Sequence, residues 1–214
     1  MTKNIHTYKG DGIDVTWDKT RCLHVAECVL GLRSVFDTTK KPWVQPDNEP
    51  VNQVASVIHR CPTGALHYER KDDGPAETPD TQNTVRIAAE GPVYVRGDIE
   101  LVVAGETVKD TRIALCRCGQ SANKPYCDGA HSRAGFEDDG RGTQKAVADT
   151  IPSGKVVVTP RANGSTLFEG PIEIQSSDGR ILYRGEKVSL CRCGASQTKP
   201  FCDGSHKASG FTAP

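Results

Sequence analysis

Leu115-Cys116-Arg117-Cys118-Gly119-Gln120-Ser121 runs on to Lys124-Pro125-Tyr126-Cys127-Asp128-Gly129-Ala130-His131. The string returns as Leu190-Cys191-Arg192-Cys193-Gly194-Ala195-Ser196 through Lys199-Pro200-Phe201-Cys202-Asp203-Gly204-Ser205-His206. Both copies read C-x-C-x8-C-x3-H and are followed by Gly-Phe (Gly135-Phe136 and Gly210-Phe211). Upstream of each stands Gly-Pro with an alternating apolar run, Gly91-Pro92-Val93-Tyr94-Val95 and Gly170-Pro171-Ile172-Glu173-Ile174. Further strand-like runs lie at 100–103, 155–159 and 181–183. Repetition at this scale means that one small supersecondary unit is used twice, here a β-unit followed by a ligand-bearing loop.

The spacing carries chemistry. Cys116 and Cys118 are two apart, so an extended segment turns both to one face. Cys127 and His131 are four apart, so one helical turn also puts them on one face, with Asp128 as its cap and Gly135 as its stop. Two convergent pairs make four donors: Cys116, Cys118, Cys127 and His131 in the first copy, Cys191, Cys193, Cys202 and His206 in the second. A [2Fe–2S] rhomb takes two protein ligands per iron and would accept one pair on each. A structural zinc ion takes the same Cys3His set, so ligand chemistry alone leaves both open.

Composition narrows the setting. In 214 residues there are 21 Gly, 13 Pro and few aromatics, which suits short strands and turns better than a large helical core. Formal charge is zero with both signs interspersed, so neither a nucleic-acid nor a polybasic membrane surface is expected. No run has the length of a membrane span, and Met1-Thr2-Lys3-Asn4-Ile5-His6 lacks the apolar core of a signal peptide. A cytoplasmic protein is expected. There, nine cysteines are metal ligands or redox groups rather than disulfides.

The full string resembles the CDGSH, or NEET, iron–sulfur family, whose signature is C-x-C, then Ser or Thr three residues on, then Pro-x-Cys-Asp-Gly-(Ser/Ala/Thr)-His. Both copies fit at every position, Ser121 and Ser196 included, and the resemblance spans roughly residues 84–214. It implies two [2Fe–2S] clusters, each with a single His ligand. Because many members pair two such units under a shared β-cap, it also implies that the repeats pack as an internal pseudo-dimer within a monomer. The wide gap between the motifs departs from simple tandem members.

Residues 11–70 follow another pattern. Ile13-Asp14-Val15-Thr16-Trp17 alternates like a strand, an apolar helical stretch beyond Cys28 runs to Val35-Phe36-Asp37, and a second helix is expected from Pro50 to His59. Cys61-Pro62-Thr63-Gly64-Ala65-Leu66 then leads into a strand at 66–69. The arrangement resembles a single-cluster bacterial ferredoxin, with the middle cysteine of its loop replaced by Val25. It is also similar to the divergent ferredoxin-like domain often fused to CDGSH repeats, whose Cys-x-His-x3-Cys start matches Cys22, His24 and Cys28. Cys22, Cys28 and Cys61 are then the cofactor-binding residues. Three cysteines suit a [3Fe–4S] cluster; a [4Fe–4S] cluster needs a fourth ligand, for which His24 is nearest.

The expected architecture is α+β: a divergent ferredoxin-like domain (1–72), a polar linker (73–83), and two β-rich CDGSH units (84–140 and 141–214), with a short break at 137–142. Arg117, Arg192, Lys124 and Lys199 are read either as charge partners of a cluster or as solvated surface, and Phe136, Phe211, Tyr126 and Phe201 as core plugs. No paired carboxylates, nucleophile–base pair or phosphate loop stands out, so no enzyme is expected. The leading expectation is one-electron transfer with a reductase or ferredoxin as redox partner. The alternatives are cluster storage or donation to an apo iron–sulfur acceptor, and a zinc-stapled interaction module.

Overall fold

The computed structural model describes residues 4–214; Met1-Thr2-Lys3, the first positions of the expected 1–72 domain and of the stretch read for a signal peptide, lie outside the described residues. The chain is mostly β with few helices and divides into two compact units, one ending at Thr78 and one running from Pro79 to Pro214.

The first unit is a three-stranded antiparallel sheet, β1 (Ile5–Tyr8), β2 (Ile13–Asp18) and β3 (Leu66–Arg70), in that spatial order. The alternation read in the sequence buries Ile13 and Val15 on one face of β2. Helix α2 (Val51–His59) presents Val54, Ala55, Val57 and Ile58 to that core. The stretch after Cys28 differs from expectation. Helix α1 stops at Glu27–Gly31, buries no residue, and leaves Leu30 exposed. A helix continued to Phe36 would have carried its apolar residues round a cylinder. Instead the chain turns at Leu32 and sends Val35 and Phe36 into the core, where Phe36 bridges to Val44.

The second unit holds both repeats in one six-stranded sheet. A short strand precedes a long hairpin in each: β4 (Thr84–Ile87) before β5 (Val93–Val103) and β6 (Glu106–Leu115), then β7 (Val156–Pro160) before β8 (Thr166–Gln175) and β9 (Ile181–Leu190). Each short strand pairs antiparallel with its own hairpin and parallel with the other one, β4 with β8 and β7 with β5. The pairings among β4, β5, β7 and β8 therefore close into a ring around Val95, Ile99, Leu101, Val156, Phe168, Ile172 and Ile174. β6 and β9 remain as the outer strands, and neither repeat completes the ring alone.

Both long strands slip register near a glycine, between Arg96 and Ile99 in β5 and between Glu169 and Ile172 in β8. At Gly97 (φ +134°) a Cβ would lie 2.1 Å from the Asn83 side chain. Asn83 was expected in a loose linker, yet it is 3% exposed. Its amide donates to the carbonyls of Gly154 (2.7 Å) and Pro171 (2.8 Å) and accepts from Asp98 N–H (2.8 Å). A buried amide with three partners is a strut between repeats. Composition does not separate a polar strut from a polar tether.

Glu173 on β8 faces Arg184 on β9, with Oε2 accepting from Nη2 at 2.6 Å and Nε at 2.9 Å. Burial works to raise its pKa, but hydrogen bonds from Gln175, Arg184 and Gln82 outweigh it and hold the carboxyl below its ordinary 4.5. A carboxylate depressed in the native state contributes stability above the unfolded pKa and loses it as pH falls through the native value. Glu173→Gln is therefore expected to cost about 1 kcal/mol at pH 7 and to flatten the decline in stability below pH 4.5. Urea melts at pH 7 and below pH 4.5 measure both.

Candidate metal centres

Each repeat places its ligand loop at the end of its hairpin. Leu115 and Leu190 close β6 and β9, and each bridges back to the aromatic of its own loop, Tyr126 and Phe201. Cys116 N–H donates to Pro125 O and Cys127 N–H to Ala114 O; Cys191 to Pro200 and Cys202 to Ser189 repeat the pattern. The sulfurs stand in pairs: Cys116 and Cys118 Sγ are 3.7 Å apart, and Cys191 and Cys193 Sγ likewise. Cys127 Sγ lies 3.3 Å from His131 Nδ1, and Cys202 Sγ 3.5 Å from His206 Nδ1. Helix α3 begins only at Ala130, so Cys127 precedes it rather than sharing its turn. Gly129 (φ +81°) bends the chain between them, and Gly204 (φ +90°) does so in the second copy.

The remaining motif residues brace the loop. Ser121 Oγ donates to Tyr126 O and accepts from Asn123 N–H, while the Asp128 carboxylate accepts from Ala122 and Ala130 N–H. Ser196 and Asp203 make the equivalent bonds. Lys124 and Lys199, read as surface or charge partners, donate to the carbonyls of Ser121 and Ser196. Arg117 and Arg192 are also corrected: both are buried wedges, at 2% and 1% exposure, rather than solvated side chains. Arg117 donates to the Gly91 and Ala88 carbonyls and to the Asp138 carboxylate, 2.5 Å from Nη1. Its guanidinium also lies over Phe136, as that of Arg192 lies over Phe211, so these partly buried rings serve as arginine platforms. Tyr126 and Phe201 are core plugs, as expected. A C-R-C spacing alone does not tell an inward arginine from an outward one; the burial of the strand end decides it.

Electrostatics suit an ionic occupant. Burial pushes the Cys127 and Cys191 thiols up to about 11, so a bound cation is what would ionise them. Cys116 moves the other way, to about 6, because the Cys118 thiol donates to it and loop amides surround it. Backbone N–H groups of Gln120, Gly129, Ala195 and Gly204 point at Cys118, Cys127, Cys193 and Cys202 Sγ at 3.4–3.5 Å. Among the described residues, no three His, Cys, Asp or Glu side chains gather as a single metal ion requires. Paired donors, with amides aimed at the sulfurs, suit an iron–sulfur occupant.

The two loops meet back to back. Cys118 and Cys193 form an antiparallel bridge, and a Cβ on Gly119 or Gly194 would lie 2.6 Å or 2.8 Å from the opposing cysteine's carbonyl oxygen.

In the first unit Cys22, Cys28 and Cys61 line one small cavity with His24. Burial, then the neighbouring Cys61, pushes the Cys28 thiol up to about 11. His24 (φ 54°) and Ala26 (φ 67°) both adopt the left-handed conformation, curling the loop around that cavity. Beside it lies a larger cavity of about 660 Å³, walled by Tyr8, Trp17 and Trp43 together with Cys22 and Cys28. The two Trp rings pack edge to face at 5.0 Å, in keeping with a packing role.

Thiolate and imidazole donors in repeated pairs, braced by hydrogen bonds within each loop, define an iron-binding protein of the iron–sulfur class. Comparison with known families matches residues 8–71 to the divergent 4Fe-4S mono-cluster model, and residues 90–132 and 163–207 to the iron-binding zinc finger CDGSH type. The chain carries two CDGSH repeats behind a divergent mono-cluster domain. Its first unit is also similar to the uncharacterized protein YjdI of Escherichia coli K12 and of O157:H7. Each is 42% identical over 64 residues, which is 30% of this chain and 84% of the relative. No helix among the described residues is long and apolar enough to cross a membrane.

Proposed function

We propose that the chain is an electron carrier holding three clusters: a [2Fe–2S] cluster on Cys116, Cys118, Cys127 and His131, a second on Cys191, Cys193, Cys202 and His206, and a third on Cys22, Cys28 and Cys61. The observation that carries the proposal is the pairing of donors, two sulfurs and then sulfur with Nδ1, in both repeats. Such a cluster supplies a reversible one-electron couple at nearly fixed geometry. The residues around it supply the rest. The arginine wedges and loop amides stabilise negative charge on the sulfurs, and the braced loops hold the donors in place. The shared ring of strands and the Cys118–Cys193 bridge support an internal pseudo-dimer, which would bring the two centres close enough to exchange electrons. A reductase or ferredoxin would be the partner.

Three thiolates in the first unit suit [3Fe–4S], and [4Fe–4S] needs a fourth ligand, for which His24 on the same cavity is nearest. Anaerobic iron and sulfide analysis with EPR tests the assignment. About four irons per chain are expected from the repeats, and about seven with a [3Fe–4S] cluster. Cys22→Ser with Cys61→Ser should remove about three and leave the [2Fe–2S] signals unchanged. An iron-free, colourless protein would defeat the proposal.

A second reading, donation of a cluster to an apo acceptor, is favoured by the partial exposure of Cys193 and Cys202.

A further inference from the structure

We infer that the two CDGSH sites are not equivalent: the first retains its cluster, and the second is the site from which a cluster leaves as cargo. The inference rests on the reading of both repeats as [2Fe–2S] sites, and the unequal exposure of the two ligand loops carries it further.

Cys116, Cys118 and Cys127 are all buried, whereas in the second copy only Cys191 is; Cys193 and Cys202 are partly exposed. An acceptor thiolate must reach iron while the old ligand still holds it, so access to the ligand sulfurs sets where exchange begins. Gly119 is buried and its counterpart Gly194 is not, so the difference extends to the loop backbone.

The wedges behind the loops also differ. Arg117 is clamped by a carboxylate: Asp138 Oδ1 accepts from its Nη1 at 2.5 Å and from Gly140 N–H at 2.9 Å. The Asp138 carbonyl accepts from Glu90 N–H at 2.7 Å, fastening the chain after His131 to the turn before β5. Arg192 instead donates to the Arg161 carbonyl (2.9 Å) and to an oxygen of Pro214 (2.8 Å). The difference is written in the sequence, where Gly135-Phe136-Glu137-Asp138 corresponds to Gly210-Phe211-Thr212-Ala213. The chain after His206 is fastened in its turn, by Asn163 N–H to Ala213 O and Ala213 N–H to Asn163 Oδ1, both at 2.9 Å. Exposure of the ligand sulfurs, rather than fastening of the loops, therefore separates the two sites.

Release balances as ligand exchange without electron transfer. Three bonds from iron to Cys191, Cys193 and Cys202 Sγ and one to His206 Nδ1 break, and four form to acceptor cysteines. The acceptor's four thiols give up four protons: three return to the freed thiolates and one goes to solvent, since the neutral imidazole needs none.

The test is anaerobic transfer, at fixed neutral pH, from the loaded full-length chain to an apo plant-type ferredoxin. Cys116→Ser with Cys127→Ser leaves the second site alone, and Cys191→Ser with Cys202→Ser leaves the first. Transfer from the second is expected to be roughly tenfold faster, the ratio that a difference of about 1.4 kcal/mol produces. Equal rates, or faster transfer from the first, would overturn the inference. The unaltered chain, with all ligands intact, gives an independent reading: it should pass its two CDGSH clusters to the acceptor in two phases of equal amplitude, and a single phase would also overturn the inference. Failure of the underlying reading is distinguishable, because iron and sulfide would then be missing before any acceptor is added.

Discussion

Replacing His131 by Cys is expected to lower the midpoint potential of the first repeat's cluster by about 100 mV or more, and His206→Cys to do the same in the second. The imidazole is neutral and the thiolate carries a charge, so the substitution adds one negative charge beside iron and favours the oxidised state. Two-His Rieske centres lie several hundred millivolts above all-Cys ferredoxins, and exchanging a single His recovers part of that span. The Nδ1 atoms lie 3.3 Å and 3.5 Å from Cys127 and Cys202 Sγ, close enough that each pair could hold one iron. The histidine also sets behaviour in acid. Protonation of Nδ1 removes its lone pair from iron, so the native cluster is lost as pH falls through the range where imidazole charges, and the Cys variants should keep theirs to lower pH. EPR-monitored titration measures the potential, and visible bleaching during a slow pH drop measures retention. Unchanged potentials together with unchanged acid loss in both variants would remove His131 and His206 from the ligand set.

Gly119→Ala should strongly destabilise the second unit, costing about 3 kcal/mol or more. Two costs coincide there. Gly119 has φ +80°, which charges an L-residue about 1 kcal/mol or more. Its new Cβ would also lie 2.6 Å from Cys193 O, a backbone atom that cannot rotate away. Gly129→Ala is the control, since φ is +81° but nothing lies within 4 Å of its Cβ; only the conformational cost remains, about 1 kcal/mol. The difference between the two variants in a denaturant melt isolates the contact between the ligand loops. Equal losses would mean that the loops do not meet in solution, and the proposed pseudo-dimer would fall with them.

The ligand sets were legible in the sequence because cluster chemistry demands fixed residue types at fixed spacing, and the string occurs twice. The β-units were legible from period-two alternation bounded by Gly and Pro, and α2 from its apolar periodicity. Helix α1 was misread because an apolar run has no inherent length: whether Val35 and Phe36 continue a helix or turn into a core depends on what lies beneath them. Asn83 was misread, and Arg117 and Arg192 were left open between surface and charge partner, for a related reason. A polar side chain in a sequence carries no sign of whether its partners are water or buried carbonyls.

The sequence by itself determined the donors, their pairing and the duplication of the unit, since these follow from local spacing along the chain. Only the tertiary structure decided that each short strand completes the other repeat's sheet, and that the two ligand loops meet at Cys118 and Cys193. It also decided that Asp138 meets one arginine wedge while Arg161 and Pro214 oxygens meet the other. Those are long-range contacts between segments, and burial, which sets their strength, is a property of the assembled fold.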